Sequence, residues 1–230
     1  MRCRLLSMFL ACAVIACAAH VSPAVSQQII NGNDQAAADF LARWKDKRIS
    51  KLIGGAFWTA SHDYTDRAHM KEVERFVKAL AELGKGNGSP LAELGGMKAF
   101  KERLSVMLNG DEPTRALAAT LLGVCGDKSY THQIAALLKP RKAERDMPRY
   151  DRGRAATALG LLGAKQYTLD LVKLLKSPNG FDRAGAALGL GALGATEHRS
   201  KVAALLNDSE EGVQMVVKDA LDMMREASNK

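Results

Sequence analysis

The residues best suited to chemistry stand in a short stretch near the amino end. His62, Asp63, Asp66 and His69 bring two imidazoles and two carboxylates into eight positions, a donor set that a divalent cation accepts. Their spacing follows no zinc pattern, structural or catalytic, and reads instead as a loop entering a helix, so no metal is assigned to them. Glu197-His198 is a single pair with no second copy. No nucleophile motif and no glycine-rich phosphate loop occurs anywhere in the chain. No catalytic residue is therefore named, and no cofactor is expected.

The second group of reactive side chains is cationic. Lys139, Arg141, Lys142, Arg145, Arg149, Arg152 and Arg154 crowd one stretch, diluted by Glu144, Asp146 and Asp151, with Tyr150 available for stacking. The chain as a whole carries a net charge of +8, which favours anionic surfaces. Arg141, Lys142, Arg145, Arg149 and Tyr150 are the residues expected to touch a partner.

What must position these groups is a phrase stated three times. Arg115-Ala-Leu-Ala-Ala-Thr-Leu-Leu-Gly-Val-Cys-Gly126 is echoed from Arg152 to Gly163 and again from Arg183 to Gly194, each followed by an apolar pair: Leu137-Leu138, Leu174-Leu175 and Leu205-Leu206. Glycine and leucines advance together by 31 positions from the second copy to the third, and by 37 from the first to the second. The extra six positions fall between Leu138 and Arg152, in a connection that leaves both hairpins in register. Such insertions are common places for specific contacts.

Within the middle copy, Ala155, Leu159 and Leu162 fall at helical spacing, Gly163-Ala164 interrupts, and Leu171, Leu174 and Leu175 resume. Each copy is thus a helical hairpin that must stack on its neighbours to bury its apolar face. Interior glycine costs a helix about 1 kcal/mol relative to alanine, so Gly160, Gly189 and Gly191 are read as sites of close helix packing. Arg115, Arg152 and Arg183 hold one position in successive copies, with Gln214 in the last. Stacking makes them a ladder, read either as pairing with acceptors at the next helix start or as an anion-binding strip.

The pattern Asp-Arg…Ala-Ala…Leu-Gly-x-Leu-Gly…Leu-x-x-Leu-Leu resembles HEAT repeats, in the short form called PBS-lyase-like HEAT repeats, over roughly Leu91 to Met224. The resemblance implies an all-α fold, an α-α superhelix or HEAT-like solenoid, here with an N-terminal helical cap. It implies no activity, and Glu197-His198 lacks the repeated His-Glu pairs of the HEAT-fold iron hydroxylases. A degenerate first copy is expected around Gly96 and Met107-Leu108, and a terminal half repeat over Gly212 to Arg225.

The first residues read as an export signal. Arg2 and Arg4 precede an apolar stretch, Leu5 to Ala19, and Pro23 stands before the small-x-small pattern Ala24-Val25-Ser26. Two outcomes stay open: ordinary cleavage before Gln27, or a lipobox reading of Val14-Ile15-Ala16-Cys17 with lipid on Cys17. Residues 1–26 hold two arginines and no acid, so the chain from Gln27 carries +6. Of four cysteines only Cys125 lies beyond the signal, where its apolar repeat position predicts a buried thiol. The absence of a disulfide framework suits a bacterial periplasmic or envelope protein better than a small secreted eukaryotic domain.

The expected organisation is a signal peptide over 1–26, a helical cap and linker over 27–90, with Trp44 and Trp58 as core anchors, and the repeat array over 91–230. The function these features indicate is a non-catalytic scaffold or adaptor of the bacterial periplasm or envelope. Its partner is a protein, with an acidic one the natural match; nucleic acid is not expected, and a membrane only through lipid on Cys17. The alternatives are a PBS-lyase-like ligand-attachment enzyme and a module that binds anionic glycans or lipids.

Overall fold

A computed structural model describes residues 35–63, 67–84, 86–139 and 150–229. The export segment with Cys17, the insertion residues Arg141, Lys142, Arg145 and Arg149, and Asp66 lie outside the described residues, as do the side chains of Trp58, His62, Asp63 and His69. Among the described residues there are twelve α-helices, four short 3₁₀ turns and no strand, an all-α, HEAT-like superhelical arrangement. The chain divides into two compact units, Met1–Met107 and Leu108–Lys230.

The first unit contains α1 (Gln35–Trp44), α2 (Lys47–Asp63), α3 (Arg67–Gly84), α4 (Ser89–Glu93) and α5 (Gly96–Met107). Its core is aromatic. The Phe40 ring lies edge-on to Trp44 at 5.3 Å and to Phe100 at 6.1 Å, and Phe76 lies 5.0 Å from Phe100. Trp44 is buried, in keeping with its helical spacing from Phe40 and Leu41. Between α4 and α5 the chain turns through Gly95 and Gly96, both left-handed, with φ of 87° and 69°. The expected turn at Gly96 is therefore present, followed by a helix that buries Met107.

The second unit is a series of pairs. Its long helices are α6 (Glu112–Cys125), α8 (Asp151–Leu161), α10 (Gly180–Leu193) and α12 (Glu211–Ser228), which pack in chain order, α6 on α8, α8 on α10 and α10 on α12. Between them run the short second helices α7 (Thr131–Ala136), α9 (Thr168–Leu174) and α11 (Arg199–Ala203). Small residues set the spacing. A methyl group added at Gly123 would meet the Ala158 Cα at 2.7 Å, one at Gly160 the Gly189 Cα at 2.6 Å, and one at Gly191 the Ala220 backbone oxygen at 2.8 Å. These glycines lie mid-helix because the neighbouring backbone occupies the space a side chain would need.

Each long helix ends at a repeated turn. Gly126, Gly163 and Gly194 have φ of 73°, 66° and 64°, the left-handed conformation that glycine adopts without steric cost. At the second and third, the next N–H reaches back to the helix, Ala164 to the Leu159 carbonyl and Ala195 to the Leu190 carbonyl, each at 3.0 Å. A three-residue 3₁₀ turn then leads into the second helix in all three copies.

The apolar pairs do not share one fate. Leu137, Leu174 and Leu175 are buried, whereas Leu205 is half-buried and Leu206 is 37% exposed in a 3₁₀ turn over Ala204–Asn207. Among the described residues α12 is followed by no second helix to extend the layer. Cys125 also departs from expectation: it is half-buried, because it is the last residue of α6, where the helix reaches its turn.

Candidate functional site

The arginine ladder forms, and its donors point at the next repeat. Arg115 in α6 donates from Nε to Asp151 Oδ2 at 3.2 Å, with Nη2 also at 3.2 Å from that oxygen, and Asp151 is the first residue of α8. Both side chains are buried, at 4% and 0% exposure. Arg183 in α10 repeats the arrangement two copies later, with Nε and Nη2 each 2.7 Å from the carboxylate of Asp208, just before α12. The hydrogen bonds from Arg183 hold the Asp208 carboxyl below the usual carboxylate range and raise the guanidinium in turn.

A backbone acceptor completes each clamp. Arg115 Nη1 donates to the Gly110 carbonyl at 2.6 Å and Arg183 Nη1 to the Ser177 carbonyl at 2.9 Å. Gln214, which takes the ladder position in α12, donates to the Asp208 carbonyl at 2.7 Å. Arg115, Arg183 and Gln214 thus tie α6, α10 and α12 to the connection before each, and the two arginines reach also to the carboxylate at or just before the next long helix.

Arg152, the middle rung, is engaged less. Its Nη1 lies 3.4 Å from Asp182 Oδ2, an oxygen that already accepts from Ser177 Oγ at 2.7 Å. Its side chain is 22% exposed, twice the 11% of Arg183, and its buried Nε has no hydrogen-bond partner. Arg152 faces a groove.

That groove, of about 560 Å³, lies between α7 and α9, the second helices of the first two clear copies. The volume is in the range of ordinary ligand pockets. Its cations are Lys139, Arg152, Lys173 and Lys176, opposed on the walls by Asp170, which Lys173 holds at 3.3 Å. Ala135, Ala136, Leu138, Leu174 and Pro178 supply apolar surface between them. The walls come from different repeats, so only stacking brings them together.

Of the predicted contact residues, Tyr150 is described. Its ring lies edge-on to Phe181 at 4.4 Å, and its backbone N–H donates to Glu112 Oε1 at 2.8 Å. Phe181 remains 45% exposed, so the pair leaves part of an aromatic face open. Nearby, desolvation lowers the half-buried Arg154 guanidinium to about 10, still a cation at neutral pH. Glu197 and His198 approach to 3.9 Å in the turn before α11, and no three His, Cys, Asp or Glu side chains among the described residues gather as a metal site would require.

The comparison with known families agrees with this geometry. Residues 141–222 match the protein family described as HEAT repeats. Over that stretch the chain is similar to HEAT repeats. The matched stretch takes in α8 to most of α12, and the copy just before it, from Arg115 to Leu138, has the same ladder contact and the same left-handed glycine. HEAT repeats generally serve as scaffold elements in protein interactions. No curated protein matches the chain in sequence.

Sequence reasoning passed over Lys173, Lys176 and Ser177 as groove residues. Lys173 is a single charge on α9 and Lys176 a single charge in the turn that follows, with no local pattern. The signal that could have found them is the 37-residue register, which superposes α7 on α9 and so sets His132 and Lys139 beside Leu169 and Lys176.

Proposed function

We propose that this protein is a non-catalytic interaction scaffold or adaptor of the bacterial envelope, exported by its amino-terminal segment and binding a protein through the stacked repeats. The observation that carries the reading is the groove between α7 and α9, a concave and cationic surface that belongs to no single repeat. No described helix is long and apolar enough to cross a membrane. The short PBS-lyase-like form of the repeat, argued from the Leu-Gly-x-Leu-Gly phrase, is part of the proposal, without the activity in its name.

Export is supported by Arg2, Arg4, the apolar stretch Leu5 to Ala19 and the Ala24-Val25-Ser26 pattern. It bears on the partner, since the periplasm offers proteins, glycans and lipid headgroups in place of nucleic acid. The basic insertion contributes contacts through Arg141, Lys142, Arg145 and Arg149. Replacing those four by serine should leave the melting temperature nearly unchanged, because exposed charges contribute little to folding. It should also weaken capture of the native partner from envelope extracts and flatten its salt dependence. Normal capture by the quadruple variant would remove the insertion from the binding surface.

A further inference from the structure

The three ladder arginines share one register, and two of them are saturated. Arg115 has Asp151 and the Gly110 carbonyl; Arg183 has both oxygens of Asp208 and the Ser177 carbonyl. Arg152 has a single contact at 3.4 Å and a buried Nε without a partner, and it is the rung that lines the groove. Spare guanidinium donors and concave surface therefore coincide at one level of the stack.

The composition of the walls says what would fill them. Four cations face one wall carboxylate, Asp170, which already has Lys173; Asp182 lies buried behind Arg152. Lys139, Lys173 and Lys176 are exposed, and among the described residues their one close ion pair is that of Lys173 with Asp170. A free phosphate or sulfate would satisfy the charge but leave Leu138 and Pro178 uncovered. A ligand that carries carboxylates and aliphatic carbon in alternation satisfies both, and an extended acidic peptide has that form.

Building on the scaffold reading, we propose that the groove between α7 and α9 receives an extended acidic segment of the partner protein. Its carboxylates take Lys139, Lys173, Lys176 and the exposed end of the Arg152 guanidinium, and its aliphatic side chains cover Leu138 and Pro178. Electrostatic complementarity of this kind sets register and association rate.

The test is fluorescence anisotropy on the full mature chain, with a labelled eight-residue peptide of glutamate and leucine and its glutamine and leucine counterpart as probes. The acidic peptide should bind with a steep salt dependence, and the neutral one at least tenfold more weakly. Lys139→Ser, Lys173→Ser and Lys176→Ser together should cost roughly tenfold in affinity at unchanged melting temperature, as expected for three exposed pairs. Arg152→Gln, which keeps a hydrogen-bonding group beside Asp182, should weaken binding by a further severalfold.

Equal binding by the triple variant, equal binding of the neutral peptide, or no binding of the acidic one would each overturn the proposal. So would displacement by inorganic phosphate at its own weak affinity, which would reduce the groove to a simple anion site. The scaffold reading is judged separately. If the triple variant still captures the native protein partner as well as the unaltered chain does, the groove proposal fails and the scaffold stands. If the unaltered chain captures no protein, the scaffold fails whatever the peptide does.

Discussion

Gly160→Ala should destabilise this protein, although the same change in an exposed helix would stabilise it by about 1 kcal/mol. The added methyl would stand 2.6 Å from the Gly189 Cα, against an ordinary contact of 3.4 Å, and closer still to the Gly189 carbonyl oxygen. Helices α8 and α10 would have to part by roughly 0.8 Å, the difference between those distances, along a crossing where Gly153 and Gly185 also meet backbone to backbone. Overpacking of this kind costs about 1–3 kcal/mol, so the net loss should be about 0–2 kcal/mol after the gain in helix propensity, toward the upper end because the methyl meets backbone. Urea unfolding followed by far-ultraviolet circular dichroism measures it. Gly212→Ala in α12 is the control: nothing lies within 4 Å of its methyl, so it should be neutral or stabilising. If Gly160→Ala instead stabilises the protein as the control does, the long helices do not approach as closely as described, and the small-residue explanation of the stack is wrong.

Three further outcomes follow from the same contacts. Asp151→Asn removes the carboxylate that faces the buried Arg115 guanidinium, and should cost about 3–5 kcal/mol in urea unfolding, far more than Asp170→Asn at the exposed Lys173 pair. Asp208 has its carboxyl depressed by Arg183, so its stabilisation is complete above the unfolded carboxylate value and is lost as pH falls through the lower folded value. Thermal melts should therefore lose stability below about pH 4, and Asp208→Asn should be weaker at neutral pH yet less sensitive over that acid range. Intact-mass measurement of protein from its native host should find an amino terminus at Gln27; a di- or triacylated species that begins at Cys17 and disappears in Cys17→Ala would replace cleavage by lipidation.

Much of the second unit was legible in the sequence because its repeats are statements about helix packing. The 31- and 37-residue registers placed Gly126, Gly163 and Gly194 at turns, and all three are left-handed. Gly160, Gly189 and Gly191 were readable as close contacts because interior glycines have few other uses in a helix. What the pattern could not supply was the distribution of satisfaction along the ladder. Arg115, Arg152 and Arg183 are equivalent by position, yet their partners lie 36, 30 and 25 residues away and differ in reach, so only the folded chain distinguishes the middle rung. The groove was illegible for the same reason: Lys139 and Lys173 become neighbours through stacking. Leu206 shows a third limit, since its spacing matches the buried pairs and its exposure depends on what packs beyond it.

Native mass spectrometry of the protein isolated intact from its host envelope, without overexpression, decides whether this chain acts as a scaffold for another protein. A scaffold should be found in a complex with a second protein in fixed stoichiometry, one that dissociates as ionic strength rises. A lone chain carrying a small-molecule adduct, coloured or not, would contradict it and point to ligand attachment instead.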